Sequence, residues 1–527
     1  MTGPLNDLVL DAFVAAALCG DEFDTRLRSS LERLVNQGAR LWLYTGEAHD
    51  ILTRVSAQAS TSLSSNGDVP LTPRQYLEQR LPTFQWLAAL SGDMGCTDDP
   101  DALAPALIHA AARISNQVPI LSTAQGRLDR GVPFISPEAI VVPEIEDRVD
   151  FIDLKVQQDR IRPSLEEGIH RVLHHGRYVF GSEIEALETQ LAKMAGAEHC
   201  VCVSSGTDAL LATLMAIEIE PGDEIITSPF TFFATAETIA LLGAIPVYVD
   251  IDPETFNIDA EKIETAITPR TRAIIPVSLY GQCAEMDEIN TIAHRHSLSV
   301  IEDAAQSFGA TYRSRRSCAL SQLACTSFFP AKPLGAYGDG GACFTQDDAL
   351  AAKLRQIRDH GQDQRYHHVR LGINGRLDTL QAAVLLAKLD IFEDEIASRQ
   401  RAAERYGALC ENVSEKGLVT LPVVRAHNTS SWAQYTIRIP GRDSVQRLLA
   451  AKGVPSAVHY PVPLYCQPAL AQDNVDCPQS DRASREVLSL PMHPYISEAV
   501  QNKVAQALSE ALSASMTESD QSVVAKA

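Results

Sequence analysis

Short apolar runs recur through the middle of the chain, each four or five residues long and each followed by a stretch with helical spacing. They are Cys200-Val201-Cys202-Val203, Glu224-Ile225-Ile226-Thr227, Pro246-Val247-Tyr248-Val249-Asp250, Ala273-Ile274-Ile275-Pro276-Val277 and Ser299-Val300-Ile301-Glu302-Asp303. A strand that alternates apolar and polar residues can leave one face in water. A continuously apolar strand must be covered on both faces, and strands of this kind suit a parallel sheet packed between helices. The runs therefore predict an α/β domain. In such open sheets the ligand lies beyond the carboxyl ends of the strands.

The rest of the chain divides around this region. Residues 1–140 carry their own strand candidates, Leu8-Val9-Leu10-Asp11, Leu41-Trp42-Leu43-Tyr44 and Pro119-Ile120-Leu121-Ser122-Thr123, with helical stretches between them, one of them at residues 106–112. This alternation predicts a small α/β domain with a parallel sheet. Residues 56–70 have the Ser-, Thr-, Asn- and Gly-rich composition of a mobile loop. Residues 141–150 read as a linker, 151–395 as a large domain and 396–512 as a smaller α/β domain. A long helical stretch runs from Leu377 to about Cys410, and residues 513–527 form a polar tail expected to fray.

Composition narrows the function classes. The 527 residues include 45 Lys+Arg and 67 Asp+Glu, a net charge of 45 − 67 = −22. That balance disfavours a general nucleic-acid binder or a protein held to anionic lipid, but leaves room for a local basic pocket. The eleven cysteines are scattered, and the Cys200-x-Cys202 pair has no second pair at zinc spacing. Buried, reduced thiols in a cytoplasmic protein are expected, with no metal site. No basic segment precedes the first apolar stretch, and no apolar run approaches the roughly 18 residues of a membrane helix.

Four pieces of the middle region suggest one site. Ser204-Ser205-Gly206-Thr207-Asp208 follows a strand and opens an apolar helix, so its backbone can approach a phosphate at a helix N-terminus. Plain helix capping is the commoner use of such residues. Asp303 ends the strand run 299–303, where a carboxylate keeps a heterocyclic nitrogen protonated or caps the next helix. Lys332 lies between the apolar Phe328-Phe329-Pro330-Ala331 and a glycine-rich stretch ending at Gly341. A partly desolvated lysine has a lowered pKa and attacks aldehydes readily. Phe232, beyond the run at Ile225, is placed either to stack on a flat ring or to pack in the core.

In this order the pieces resemble the fold-type I pyridoxal-phosphate sugar aminotransferases of the DegT group, from Asp150 to about Leu512. Three stretches look most like enzymes that aminate a UDP-linked 3-keto-N-acetylhexosaminuronic acid: residues 276–283, residues 360–368 and Val458-His459-Tyr460-Pro461. The resemblance implies a large parallel or mixed sheet domain followed by a small C-terminal α/β domain. It implies pyridoxal 5′-phosphate as cofactor, glutamate as amino donor, a role in surface polysaccharide or amino-sugar biosynthesis, and a homodimer as the minimum active unit. It also implies that Lys332 bonds the cofactor's aldehyde carbon and then moves a proton between cofactor and sugar. Asp303 then pairs with the ring nitrogen, Gln306 lies near the phenolic oxygen and Phe232 stacks on the ring. Gly206, Thr207, Asp208 and Ser327 hold the phosphate, which Asn374 reaches from the other subunit. Arg376, His459 and Tyr460 face the sugar. Relatives often have Tyr or Trp at the position of Phe232. A basic cluster of Arg365, His367, His368, Arg370 and Arg376 offers a negative protein a place for a dianionic nucleotide sugar, although each member singly also fits a solvated loop.

Three other readings compete, the first a keto-sugar aminotransferase of different substrate, since specificity depends on loops. A sugar dehydratase of the same fold carries His at the lysine position, which Lys332 disfavours. A metal-dependent RNase is raised by residues 1–140, which resemble PIN-like domains; the middle region would then be regulatory. Such nucleases gather three or four carboxylates around a divalent ion. Here Asp11 closes the first strand as expected and Glu47 is a candidate second acid, but Pro105 and Ala124-Gln125 stand where acids are expected, leaving only Asp101 or Asp129 to substitute. A degenerate domain used for contacts or regulation is expected.

Overall fold

In the computed structural model, which describes residues 7–10, 40–43, 120–121, 134–135 and 149–524, the chain divides into two units, Met1–Ile145 and Glu146–Ala527. The first unit holds β1 (Asp7–Leu10), β2 (Arg40–Leu43), β3 (Ile120–Leu121) and β4 (Phe134–Ile135) in the order β2-β1-β3-β4. All pairs are parallel. The first three strands match apolar runs of the sequence. The fourth is two residues long, too short to carry a pattern. The helix expected at 106–112, the loop at 56–70 and the positions Asp11, Glu47, Asp101, Pro105, Ala124, Gln125 and Asp129 lie outside the described residues.

The second unit opens with α1 (Leu154–His175), capped by the Asp153 carboxylate, which accepts from the Lys155 and Val156 amides at 3.0 and 3.1 Å. After α2 (Ser182–Ala195), strands and helices alternate: β5 (His199–Val203), α3 (Gly206–Ala216), β6 (Glu224–Thr227), α4 (Ala234–Leu241), β7 (Ile245–Tyr248), α5 (Ala260–Ile263), β8 (Thr271–Ile275), α6 (Met286–Arg295) and β9 (Ser299–Asp303). A small hairpin, β10 (Thr311–Tyr312) with β11 (Arg315–Arg316), precedes β12 (Leu323–Ser327) and β13 (Gly341–Thr345). Seven of these strands form one sheet, in the order β5-β13-β12-β9-β8-β6-β7.

The apolar runs fold as their composition demands. Along β5, Cys200 and Cys202 pack with Leu187 and Leu191 of α2, while Val201 and Val203 pack on the other side with Ala209 and Leu210 of α3. Both faces of the strand are covered. The sheet is mixed because β13 runs antiparallel to both β5 and β12. Parallel neighbours need a long crossover, usually a helix. Only the Lys332 loop, without a helix, joins β12 to β13, so the chain doubles back.

Beyond α7 (Asp348–Ile357) and a hairpin of β14 (Gln362–Gln364) with β15 (His367–His368) runs α8, Thr379–Glu415, 37 residues long. At 1.5 Å per residue it spans roughly 55 Å, enough to serve two cores. Ala382, Leu385, Leu389 and Phe392 pack under the large sheet, and Ala402, Tyr406, Cys410 and Val413 pack in the C-terminal lobe. The boundary expected at 395/396 thus falls inside one continuous helix. The lobe adds β16 (Tyr435–Arg438), α9 (Arg442–Ala451), α10 (Pro478–Glu486), β17 (Val487–Leu490), antiparallel to β16, and α11 (Glu498–Val524). The polar stretch from Ser513 lies in α11, which runs to Val524.

Among the described residues nine cysteines are free of disulfides; eight are buried and Cys466 is exposed.

Candidate active site

The carboxyl ends of β5, β9 and β12 meet. Cross-strand register places Gly341 opposite both Val203 and Ser327. A Cβ on Gly341 would lie 2.4 Å from the Ser205 carbonyl oxygen, and one on Gly206 would lie 2.6 Å from the Ser327 Cβ. Only bare backbone fits at these two contacts. Ser205 caps α3 by accepting from the Asp208 amide at 3.0 Å, and the Ser204 hydroxyl donates to the Asp208 carboxylate. The leading N–H groups of a helix have no acceptor within it, so Gly206 and Thr207, both half-buried, open a cradle for an anion beside Ser327.

Asp303 closes β9 at 4% exposure. One of its oxygens accepts from the Thr235 hydroxyl at 2.9 Å and the other from the Ala305 amide at 3.2 Å. Burial raises its pKa, against the lowering effect of those hydrogen bonds and of the Lys332 charge. Lys332 sits half-buried in a turn that its own amide closes on the Phe329 carbonyl at 2.9 Å. Desolvation lowers its pKa to about 8, against the attraction of Asp303. The pair is a buried carboxylate facing an amine that gives up its proton readily.

Aromatic and amide groups wall the other side. Phe232 is 56% exposed, its ring 6.1 Å from that of Tyr460. Gln306 is buried, donating to the Tyr460 hydroxyl at 3.0 Å and accepting from the Tyr280 amide at 2.8 Å. The Tyr280 hydroxyl donates to the His459 carbonyl. His459 Nδ1 lies 2.9 Å from the Ser489 hydroxyl; desolvation, reinforced by the Lys332 charge, lowers its pKa to about 4, so its ring is neutral. His459 thus lies within electrostatic reach of Lys332, across the cleft.

Asn374 and Arg376 are placed differently. The Gly375 carbonyl between them accepts from the Ser204 amide at 3.0 Å, beside the cradle of the same chain, while the Asn374 side chain is exposed. Arg376 Nη1 donates to Asp359 at 2.8 Å. The basic cluster also has partners: His367 pairs with Asp363 at 2.7 Å, Arg370 Nε donates to Gln356 at 2.7 Å, and Arg365 lies over the exposed Tyr366 ring, 4.9 Å from its centre. Thr235 and Tyr280 carry no role in the sequence reading. Their partners lie 68 and 179 residues away, so no local spacing reveals them.

A family model for DegT/DnrJ/EryC1/StrS aminotransferases matches residues 159–509. The chain belongs to this aminotransferase family. It is 58% identical over 348 residues to the UDP-2-acetamido-2-deoxy-3-oxo-D-glucuronate aminotransferase of Pseudomonas aeruginosa, a match covering 66% of this chain and 96% of that protein. Among solved structures, S. venezuelae DesV in complex with a ketimine intermediate superposes with TM-score 0.67 at 39% identity, over 69% of this chain and 98% of that one. NtdA from Bacillus subtilis, with bound cofactor PMP, gives TM-score 0.65 at 29% identity, over 74% and 94%. The protein is accordingly an aminotransferase of fold type I that works with pyridoxal 5′-phosphate. The cleft fits that cofactor: an anion cradle built where no Cβ is tolerated, a buried carboxylate, and a half-buried amine of lowered pKa.

Proposed function

We propose that this aminotransferase moves the amino group of glutamate to a UDP-linked 3-keto-N-acetylhexosaminuronic acid, as a homodimer in the cytoplasm, in the making of a surface polysaccharide or amino sugar. The buried Asp303 within electrostatic reach of Lys332, in a chain 58% identical to an aminotransferase of a UDP-linked 3-oxo-glucuronate, carries the reading. Bound pyridoxal 5′-phosphate supplies an aldehyde that takes up the amino group and a ring that draws off the electrons of the broken C–H bond.

The residues divide the remaining work. Asp303, held by Thr235, keeps a proton on the ring nitrogen. Lys332, its pKa lowered to about 8, is the amine that would bond the cofactor's aldehyde carbon and, once the amino donor displaced it, the base that would move the proton, so no separate histidine is required. Gly206, Thr207, Asp208 and Ser327 would hold the phosphate, Phe232 would cover the ring, and Gln306 would serve the phenolic oxygen. His459 and Tyr460 face the sugar. Arg376 spends one N–H on Asp359 and keeps the rest of its fork for the uronate carboxylate. The exposed Asn374 serves the other subunit's phosphate. Eight buried free thiols suit a reducing compartment, and no helix among the described residues is long and apolar enough to cross a membrane.

The test is the reverse reaction. Supplied with 2-oxoglutarate and the UDP-linked 3-amino-hexuronate, the protein should release glutamate. A 3-amino-6-deoxy analogue, lacking the carboxylate, should react more than about a hundredfold slower, the scale set by leaving a recognition group unpaired. Equal rates for the two sugars would contradict the uronate reading.

A further inference from the structure

Lys388 is the one lysine of α8 that the core swallows, at 1% exposure. Its Nζ donates to the Gly335 carbonyl at 2.6 Å and lies 4.3 Å from the centre of the Tyr337 ring. Burial pushes its pKa down to about 8, against the attraction of Glu395 two turns further along the helix. Burying an ammonium is costly, and a Leu or Met would fill this helical position without that cost. What neither supplies is a donor to a loop carbonyl.

The loop in question carries Lys332. Gly335 presses against the backbone just before that lysine: a Cβ there would lie 2.4 Å from the Pro330 carbonyl oxygen and 2.7 Å from that of Phe329. The Phe329 carbonyl is also the acceptor for the Lys332 amide, and the Ala336 amide donates to the Phe328 carbonyl at 2.7 Å. Two residues on, the Tyr337 amide donates to Gln381, also on α8, at 2.9 Å. The loop is thus folded on itself at 328–336 and pinned to α8 at Gly335 and Tyr337.

We propose that Lys388 is a positioning residue: by holding Gly335 it fixes the loop that sets the Lys332 amine in the cleft. The inference rests on Lys332 as the reacting amine and extends it to a residue on the far side of the loop. Its chemistry is a single N–H···O contact backed by a cation over an aromatic face. Arginine can replace it in part; an apolar isostere cannot.

The experiment compares the reconstituted wild-type protein with Lys388→Met, Lys388→Gln and Lys388→Arg. For each, the fraction of cofactor that borohydride fixes to Lys332 is read by peptide mass spectrometry, with kcat, KM and thermal midpoint. In Lys388→Met the fixed fraction should fall and kcat drop about tenfold to a hundredfold, as sub-ångström to ångström misplacement of a reacting group does, with KM little changed. Lys388→Arg and Lys388→Gln, which keep an N–H donor, should recover most of the loss. A Lys388→Met protein with wild-type trapping and kcat overturns the proposal, as does a lowered midpoint with unchanged kcat in all three. So does failure of all three to fold, which would assign Lys388 to stability alone. If the wild type itself shows no cofactor fixed at Lys332, the aminotransferase reading of that lysine fails instead.

Discussion

At the scale of single residues, the proposed chemistry depends on two groups, Lys332 and Asp303, whose protonation burial has shifted. Lys332, lowered to about 8, is half neutral near that pH instead of near the usual 10.5 of a lysine. The rate at which the cofactor-free protein captures pyridoxal 5′-phosphate should therefore rise with pH and level off above about 8, measured by stopped-flow absorbance. A rise continuing to pH 10 would show an ordinary lysine. Asp303→Asn removes the charge that keeps a ring nitrogen protonated and should lower kcat by a hundredfold or more, of order 3 kcal/mol in the barrier, with the fold intact by circular dichroism. Glu302, beside it, is fully buried and its pKa is raised to about 7 by desolvation; it accepts from the Ser317 hydroxyl at 2.8 Å and the Cys318 amide at 3.0 Å. A carboxyl raised on folding binds a proton more tightly in the folded state. Its contribution is full below the unfolded pKa near 4.5 and is lost as pH rises through about 7. The thermal midpoint of the wild type should thus fall relative to Glu302→Gln between pH 5 and 8; a difference constant with pH would show that Glu302 titrates normally.

At the scale of elements, the site is a property of strand ends and one bare turn. Gly341→Ala would push a Cβ to within 2.4 Å of the Ser205 carbonyl oxygen, backbone against backbone. Cofactor affinity should fall by tenfold or more, about 1.4 kcal/mol, read by fluorescence titration. Phe392→Ala, at a fully buried position of α8 packed against Phe308, 5.5 Å between ring centres, should cost about 3–5 kcal/mol in denaturant unfolding while leaving the cofactor's visible band in place. Much of this was legible beforehand because it depends on local pattern. Continuous apolar strands announce a covered sheet, and an acid at a strand end followed by a lysine among apolar residues announces a cofactor site. The direction of β13 was not legible, since nothing in Gly341–Thr345 itself distinguishes a parallel from an antiparallel strand. Nor was Lys388: a lysine in an amphipathic helix reads as surface until the loop it holds is in place.

At the scale of the whole molecule, the net charge of −22 says little about the substrate. A helix N-terminus and a few cations line the proposed anion site, and the cations of 365–376 are partly matched by Asp359 and Asp363. The homodimer proposal has a direct check. Lys332→Ala and Asn374→Ala proteins, each inactive alone, should recover up to about a quarter of wild-type activity when unfolded and refolded together, because one of the two sites in a mixed dimer is then intact. No recovery would confine each site to one chain.

The central claim is that Lys332 is the amine that takes the cofactor. The most direct measurement is the visible absorption spectrum of the purified protein after addition of pyridoxal 5′-phosphate, before and after glutamate, with Lys332→Ala alongside. Transamination at Lys332 predicts a visible band in the wild type that glutamate abolishes and that Lys332→Ala never forms. A wild type without the band, or an unchanged band in Lys332→Ala, would contradict it.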